Sequence, residues 1–231
     1  MEKFLIKIKM LKITFMSLLD CYTSNELLKN NFWAEIERYY SEQGRHYHTL
    51  LHLKALLIHL SAVKSDIACW DSTLFCLYYH DIIYDAKRSD NEEKSAELAV
   101  QRMTELEIPN EIIELCKSQI LATKSHQFSD DQDTNYFLDA DLSILGQRWE
   151  IYNQYTIQVR KEYAIYPDLL YKVGRKKALK HFLDMDRIYK TDYFHQQFEA
   201  QAKLNIQQEA EQLNAKQNGV NICNKFSIPF I

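Results

Sequence analysis

Only four glycines and three prolines punctuate 231 residues, and that shortage does most to decide what the chain can fold into. Two-residue hairpins draw on Gly and Asn for their positive φ angles, and phosphate-cradling loops need Gly so that the backbone can approach the ligand. A chain with so little of either, far below ordinary usage, is predicted to be all-α. Its 46% hydrophobic content is enough for a substantial core, arranged as one large domain or one domain with tails. The net charge of −4 does not suit a general nucleic-acid coat protein, so nucleic acid is not expected as a partner. Cys21, Cys69, Cys76, Cys116 and Cys223 are odd in number and scattered, with no Cys-x-x-Cys pair, and read as reduced thiols of a cytoplasmic protein.

Near the start, Lys3, Lys7, Lys9 and Lys12 break up the apolar residues. No run approaches the roughly 20 residues that span a bilayer, and no membrane association is expected. The apolar part from Ile13 to Leu19 is short and no small-x-small site follows Cys21, which speaks against a signal peptide. Residues 1–23 are read as an N-terminal extension or first helix, 24–213 as a single helical domain with a helical C-terminal extension, and 214–231, which lacks periodicity, as a tail.

Helical spacing organises the rest. Ser24 to Ser41 carries Leu28, Phe32, Ile36 and Tyr40 in register, entered at Ser24 and Asn25 and broken at Gly44. The next helix is predicted from His46 to about Val63, with His48 and His52 one turn apart on one face and His59 at another angle. Asp66 is placed at the opening of a third helix. Asp90 and Glu93 fit a capping box for a helix to about Glu107, and Pro109 opens another that ends near His126. Ser129 to Thr134 reads as a linker, followed by Asp139 and Asp141 at the beginning of an apolar helical pattern. Helices are then predicted from Trp149 to Tyr163, after Pro167 from Lys172 to Tyr189, and from Phe194 to Leu213. The basic cluster Lys172, Arg175, Lys176, Lys177 and Lys180 reads as a solvated face.

Chemistry enters at Leu74 to Asp85. Six apolar or aromatic residues, the pattern of a helix surrounded by protein, run into His80 and Asp81. An imidazole and a carboxylate brought inside together need a cation or a metal ion as partner. In chain order His52, His80, Asp81 and Asp141 supply two imidazoles and two carboxylates from different predicted helices. Such a set suits an octahedral divalent ion such as Mn²⁺, Co²⁺, Fe²⁺ or Mg²⁺. A tetrahedral structural zinc fits less well because no thiolate belongs to the set, although Zn²⁺ stays open as a catalytic ion.

The order H…HD…D on a helical chain resembles the HD superfamily of metal-dependent phosphohydrolases. Arg45-His-Tyr-His-Thr-Leu-Leu-His52 is similar to the Tyr-His-Asn-x-x-His segment of that superfamily's cyclic-nucleotide phosphodiesterases, with Thr49 in place of Asn. His80-Asp-Ile-Ile-Tyr-Asp85 resembles the His-Asp-x-x-x-Asp segment of several branches, and Leu138-Asp-Ala-Asp-Leu-x-x-Leu-Gly146 their late Asp motif. The span from about Trp33 to Leu213, with Asp90-Asn-Glu-Glu-x-Ser95, Ala122-Thr-x-x-His126 and Arg160-x-Glu-Tyr163, looks like a bacterial branch of predicted HD phosphohydrolases.

The resemblance implies His52, His80, Asp81 and Asp141 as metal ligands, Asp141 being preferred to Asp139 because the second acid binds in similar segments. It implies His48 as the acid that protonates the leaving oxygen, and Asp85 as a carboxylate orienting a ligand or the attacking water. His126 would bind phosphate or a second ion; Arg45, Lys124 and Arg160 would meet the substrate's negative charge. The implied activity is hydrolysis of a phosphate ester, a nucleotide or other small phosphorylated metabolite, by metal-activated water. Tyr47, Tyr79, Tyr84 and Tyr163 could stack on a base or simply fill the core. A di-iron oxygenase using His126, and a binding module that keeps the site without turnover, are the alternatives; a homo-oligomer is compatible with all three.

Overall fold

The structure is a computed structural model that describes residues 2–215, with side chains from residue 9. Among these residues it is all-helical: ten α-helices, two short 3-10 turns and no strand. Of the described residues, those up to Asp85 together with Asp90–Ala140 form one compact unit, and Ala86–Ser89 with those from Asp141 to Ala215 form another. Most of the expected tail, with Cys223, lies outside the described residues.

The first unit is built around α4 (Trp70–Tyr79), in which every residue from Ser72 to Tyr79 is buried. It packs against α1 (Glu2–Leu19), α3 (Leu50–Ala62), α5 (Asn91–Glu105) and α6 (Asn110–Ala122), which is why its sequence is apolar on all sides. The segment before residue 24 is part of this core rather than an appendage. Leu11, Phe15, Leu18 and Leu19 recur at helical spacing and are buried, each worth roughly 1.5–3 kcal/mol on burial. Phe15 lies 4.6 Å from the Tyr78 ring, and the Tyr78 hydroxyl donates to the Leu11 carbonyl at 2.8 Å.

Local chemistry sets where the helices begin. Asn25 accepts from the Leu28 N–H at 3.1 Å and starts α2 (Glu26–Tyr39). Thr49 accepts from the Leu51 N–H at 3.3 Å and starts α3, four residues later than the sequence predicts. Asp66 belongs to a 3-10 turn, Lys64–Asp66. The opening of α4 is instead served by Asp133 of α7 (Gln132–Asp141), whose carboxylate accepts the Ala68 and Cys69 N–H groups at 2.9 and 2.6 Å. Asp90 precedes α5, but its side chain makes no capping hydrogen bond there, and the Glu93 side chain, the other half of the expected box, pairs with Lys124. Residues 129–134 are no linker: Asp131 accepts from the Thr134 N–H at 2.7 Å and α7 is under way by Gln132. Asp139 and Asp141 consequently stand in the last turn of α7, not at a helix start. An Arg102 fork on Glu35, at 2.9 and 2.7 Å, ties α5 to α2.

The second unit contains the 3-10 turn Leu142–Gly146, α8 (Trp149–Glu162), α9 (Asp168–Leu183) and α10 (Asp192–Ala215). Pro167 stands immediately before α9, which therefore begins four residues ahead of the predicted Lys172. Arg175 departs from the expected solvated face. Its side chain is 2% exposed and its Nε and Nη2 donate to the two Glu209 oxygens at 2.8 and 3.0 Å. The Tyr152 hydroxyl donates to the same carboxylate.

Gly146 is where the 3-10 turn meets α10. A Cβ built there would stand 2.5 Å from the Phe198 Cβ and 2.7 Å from its carbonyl oxygen, so backbone has to move. Gly146→Ala is expected to destabilise the chain by roughly 1–3 kcal/mol, the cost of overpacking, measured as a lowered denaturation midpoint in urea; an unchanged midpoint would show that α10 yields freely.

Cys21, Cys69, Cys76 and Cys116 are thiols, the last two buried. No helix among the described residues is long and apolar enough to cross a membrane.

Candidate metal centre

Two turns and two helices converge on the site. Because Thr49 caps α3, His48 sits in the turn before that helix and His52 in its first turn. The expected shared helix face is replaced by a turn that still brings the two rings within 5.7 Å, at 74° to one another. On the other side α4 ends at Tyr79, His80 closes it with its N–H on the Cys76 carbonyl at 2.9 Å, and Asp81 follows. His52 and His80 are 4% and 1% exposed; His48 and Asp81 are half-buried.

The donor atoms meet closely. His52 Nε2 and His80 Nε2 are 3.2 Å apart, and Asp81 Oδ2 lies 3.5 Å from the first and 3.0 Å from the second. His48 Nε2 stands back at 3.9 Å from the same oxygen. His80 Nδ1 is 3.1 Å from the Leu77 carbonyl. A carbonyl only accepts, so that nitrogen carries the proton and, in the neutral ring, Nε2 presents its lone pair to the cluster. This is how ligand histidines are oriented in metal sites.

Electrostatics point the same way. Burial by itself would raise the Asp81 carboxyl, but positive charge on the His80 and His48 imidazoles, with hydrogen bonds from His52 and His80 when their Nε2 atoms are protonated, holds it well below the usual carboxylate range; with the rings neutral, a bound cation would take the place of that charge. An ionised carboxylate and two imidazole nitrogens 3.2 Å apart, which can share one proton at most, face a common centre. A cation there relieves all three contacts. The ligand atoms of His52, His80 and Asp81 lie within 4.8 Å of one another and could hold a metal ion, and an N,N,O set suits Mn²⁺, Fe²⁺, Co²⁺ or Zn²⁺.

The surrounding residues hold this geometry in ways the sequence reading missed. Ser95 of α5 clamps Ile83: its hydroxyl receives the Ile83 N–H at 3.1 Å and donates to the Ile83 carbonyl at 3.3 Å. The Asn91 side chain does the same for Asp85, at 3.1 and 3.0 Å. Both residues lie in the Asp90–Ser95 motif, so a signal was there, attached to no role. Glu92, beside Asn91, has its carboxyl pushed up by burial and by the charge of Asp81. Phe137 sets its ring edge to face against His80 at 5.4 Å.

The remaining predicted residues are placed as follows. Asp85 is exposed, its backbone held by Asn91. Lys124 is exposed and paired with Glu93. His126 is half-buried beyond the end of α6, at a left-handed φ of 51°. Arg160, in the second unit, donates to Asp168 at 2.6 Å and to the Tyr163 and Tyr166 carbonyls at 2.8 and 3.1 Å, closing the turn between α8 and α9. Asp141, the last residue of α7, belongs to the second unit, whereas Asp139 is fully buried in the first. Tyr79 and Tyr163 are core; Tyr47 and Tyr84 flank His48, at 4.9 and 4.2 Å between ring centroids.

Comparisons with protein-family models, curated proteins and solved structures find no match.

Proposed function

We propose that this chain is a metal-dependent phosphohydrolase of the HD type, acting on a nucleotide or another small phosphate ester. The observation that carries the proposal is the convergence of His52, His80 and Asp81 on one point, with the His80 lone pair directed there by the Leu77 carbonyl. His52, His80 and Asp81 would hold a divalent ion, which would supply acidified water as nucleophile and a Lewis acid for a phosphoryl oxygen.

The chain's own groups supply the rest. His48 stands beside the ligand cluster without belonging to it, half-exposed and with Nε2 3.9 Å from Asp81 Oδ2. In this reading His48 is the proton donor that protonates the departing alkoxide oxygen, and its position beside the cluster supports that role. Burial of His52 and His80 keeps bulk water from competing for the ligand nitrogens, and the Asp81 carboxylate, held ionised, needs no deprotonation before it binds an ion.

The test is a screen of purified protein with Mn²⁺, Co²⁺, Mg²⁺, Fe²⁺ and Zn²⁺ against phosphomonoesters, nucleotides and cyclic nucleotides. Metal-dependent release of phosphate or opening of a cyclic ester supports the proposal. Retained ion binding with no product from any member would transfer the site to the binding-module reading. His48→Gln is expected to lower kcat about 10²- to 10⁴-fold while leaving ion affinity near that of the natural protein. Equal loss of ion affinity would make His48 a ligand instead.

A further inference from the structure

Arg45 was expected to receive the substrate's phosphate, and the structure gives its guanidinium other work. The side chain is 2% exposed. Nη1 donates to the Asp81 carbonyl at 2.7 Å and, at 3.3 Å, to the His48 carbonyl; Nη2 donates to the Ile82 carbonyl at 2.7 Å. The guanidinium carbon lies 4.9 Å from the Tyr40 ring centroid and 5.5 Å from that of Tyr84. Tyr84 in turn packs on the His48 imidazole, with centroids 4.2 Å apart and planes inclined by 33°.

These contacts join two pieces of chain 36 residues apart, one carrying His48 and the other carrying His80 and Asp81. Main-chain carbonyls on both pieces point into a single planar fork. Such a fork fixes direction as well as distance, which a lysine ammonium, a point charge on a flexible stem, does not. Bonds from a charged donor are also about twice as strong as neutral ones.

We infer that Arg45 is a positioning residue of the metal centre: it sets the spacing between the His48 turn and the His80–Asp81 segment, and Tyr84 extends that order to the His48 ring. The inference rests on the reading of the cluster as a metal site, but on no particular reaction.

The experiment uses the full chain with Arg45→Ala and Arg45→Lys. Fold is checked by helix content and melting. Two quantities are then read: Co²⁺ affinity by calorimetric titration, and the NMR resonances of the His48 ring in metal-free protein, assigned with His48→Gln. Arg45→Ala is expected to weaken Co²⁺ binding about 10- to 100-fold, the usual effect of losing a partner that orients ligands, and to abolish the ring-current shift that Tyr84 imposes on His48. Guanidinium, well below denaturing concentration, should restore both in Arg45→Ala and neither in Arg45→Lys, whose ammonium occupies the space.

Natural Co²⁺ affinity and His48 resonances in folded Arg45→Ala would overturn the inference. So would losses in a folded variant that guanidinium does not reverse, since they would mark a packing role only. Should the alanine variant not fold, Arg45→Lys decides, and natural values for both quantities would overturn the inference. A chain that responds to Arg45 but hydrolyses nothing fails the hydrolase reading alone. If the natural chain binds no Co²⁺, the metal reading fails while the His48 resonances still test Arg45.

Discussion

Replacing His80 with alanine is expected to abolish divalent-ion binding and all metal-dependent turnover, and chelation of the natural protein should reproduce the loss of turnover. The imidazole is the best-placed ligand of the cluster: buried, fixed through Nδ1 to the Leu77 carbonyl, and 3.0 Å through Nε2 from Asp81. Its removal also strips a hydrogen bond from a buried carbonyl, which costs about 1–3 kcal/mol. Ion binding and stability can be separated by thermal unfolding. A ligand that binds only the native state at 100 times its dissociation constant adds about 2.7 kcal/mol, so Co²⁺ or Mn²⁺ should raise Tm in the natural protein and leave it unmoved in His80→Ala. The same rise in both proteins would place the ion elsewhere and remove the ground for the hydrolase proposal.

The second large effect concerns stability. Glu209→Ala leaves the Arg175 guanidinium buried without the carboxylate that accepts from its Nε and Nη2. Breaking one side of a buried ion pair typically costs about 3–5 kcal/mol, because a charge is left uncompensated away from water. Replacing both partners with apolar residues of similar volume, Arg175→Met with Glu209→Leu, should cost less, since neither charge then has to be desolvated and what is left is the Tyr152 hydroxyl without its acceptor, about 1–3 kcal/mol. Equilibrium urea unfolding of Arg175→Met, Glu209→Leu and the double variant gives the comparison as a double-mutant cycle, with Glu209→Ala measured beside it. Single variants within about 1 kcal/mol of the natural protein would mean that water reaches Arg175 once Glu209 is gone.

Much of this architecture is written in local sequence. Scarce Gly and Pro specify helices; Asn25 caps α2 as its residue type suggests; the all-round apolar stretch before His80 is the central helix. His52, His80 and Asp81 do come together. What escapes a sequence reading is whatever depends on a distant partner. Arg175 looks like one more cation on a basic helix, since Glu209 lies 34 residues on and no periodicity links them. Arg45 looks like a phosphate ligand because its true acceptors are main-chain carbonyls, which carry no side-chain signature. The start of α3 differs from the predicted His46 because a threonine suits a helix interior as well as a cap, and the Leu51 N–H bonded to Thr49 decides. Asp139 and Asp141 read as a helix entrance because Asp131 and Thr134, whose hydrogen bond opens α7, have the composition of a loop.

The Asp133 carboxylate has a consequence for the order in which the molecule can be assembled. It sits 65 and 64 residues beyond the two amides it satisfies, so a nascent chain exposes Ala68 and Cys69 long before Asp133 has been synthesised. Until then the helix that delivers His80 and Asp81 has an open amino end, free to fray, and its two ligands have no fixed bearing. The cluster of His52, His80 and Asp81 is therefore completed only once Asp133 has been made, and on the metal reading a fragment ending before residue 133 should contain all three residues yet hold an ion poorly.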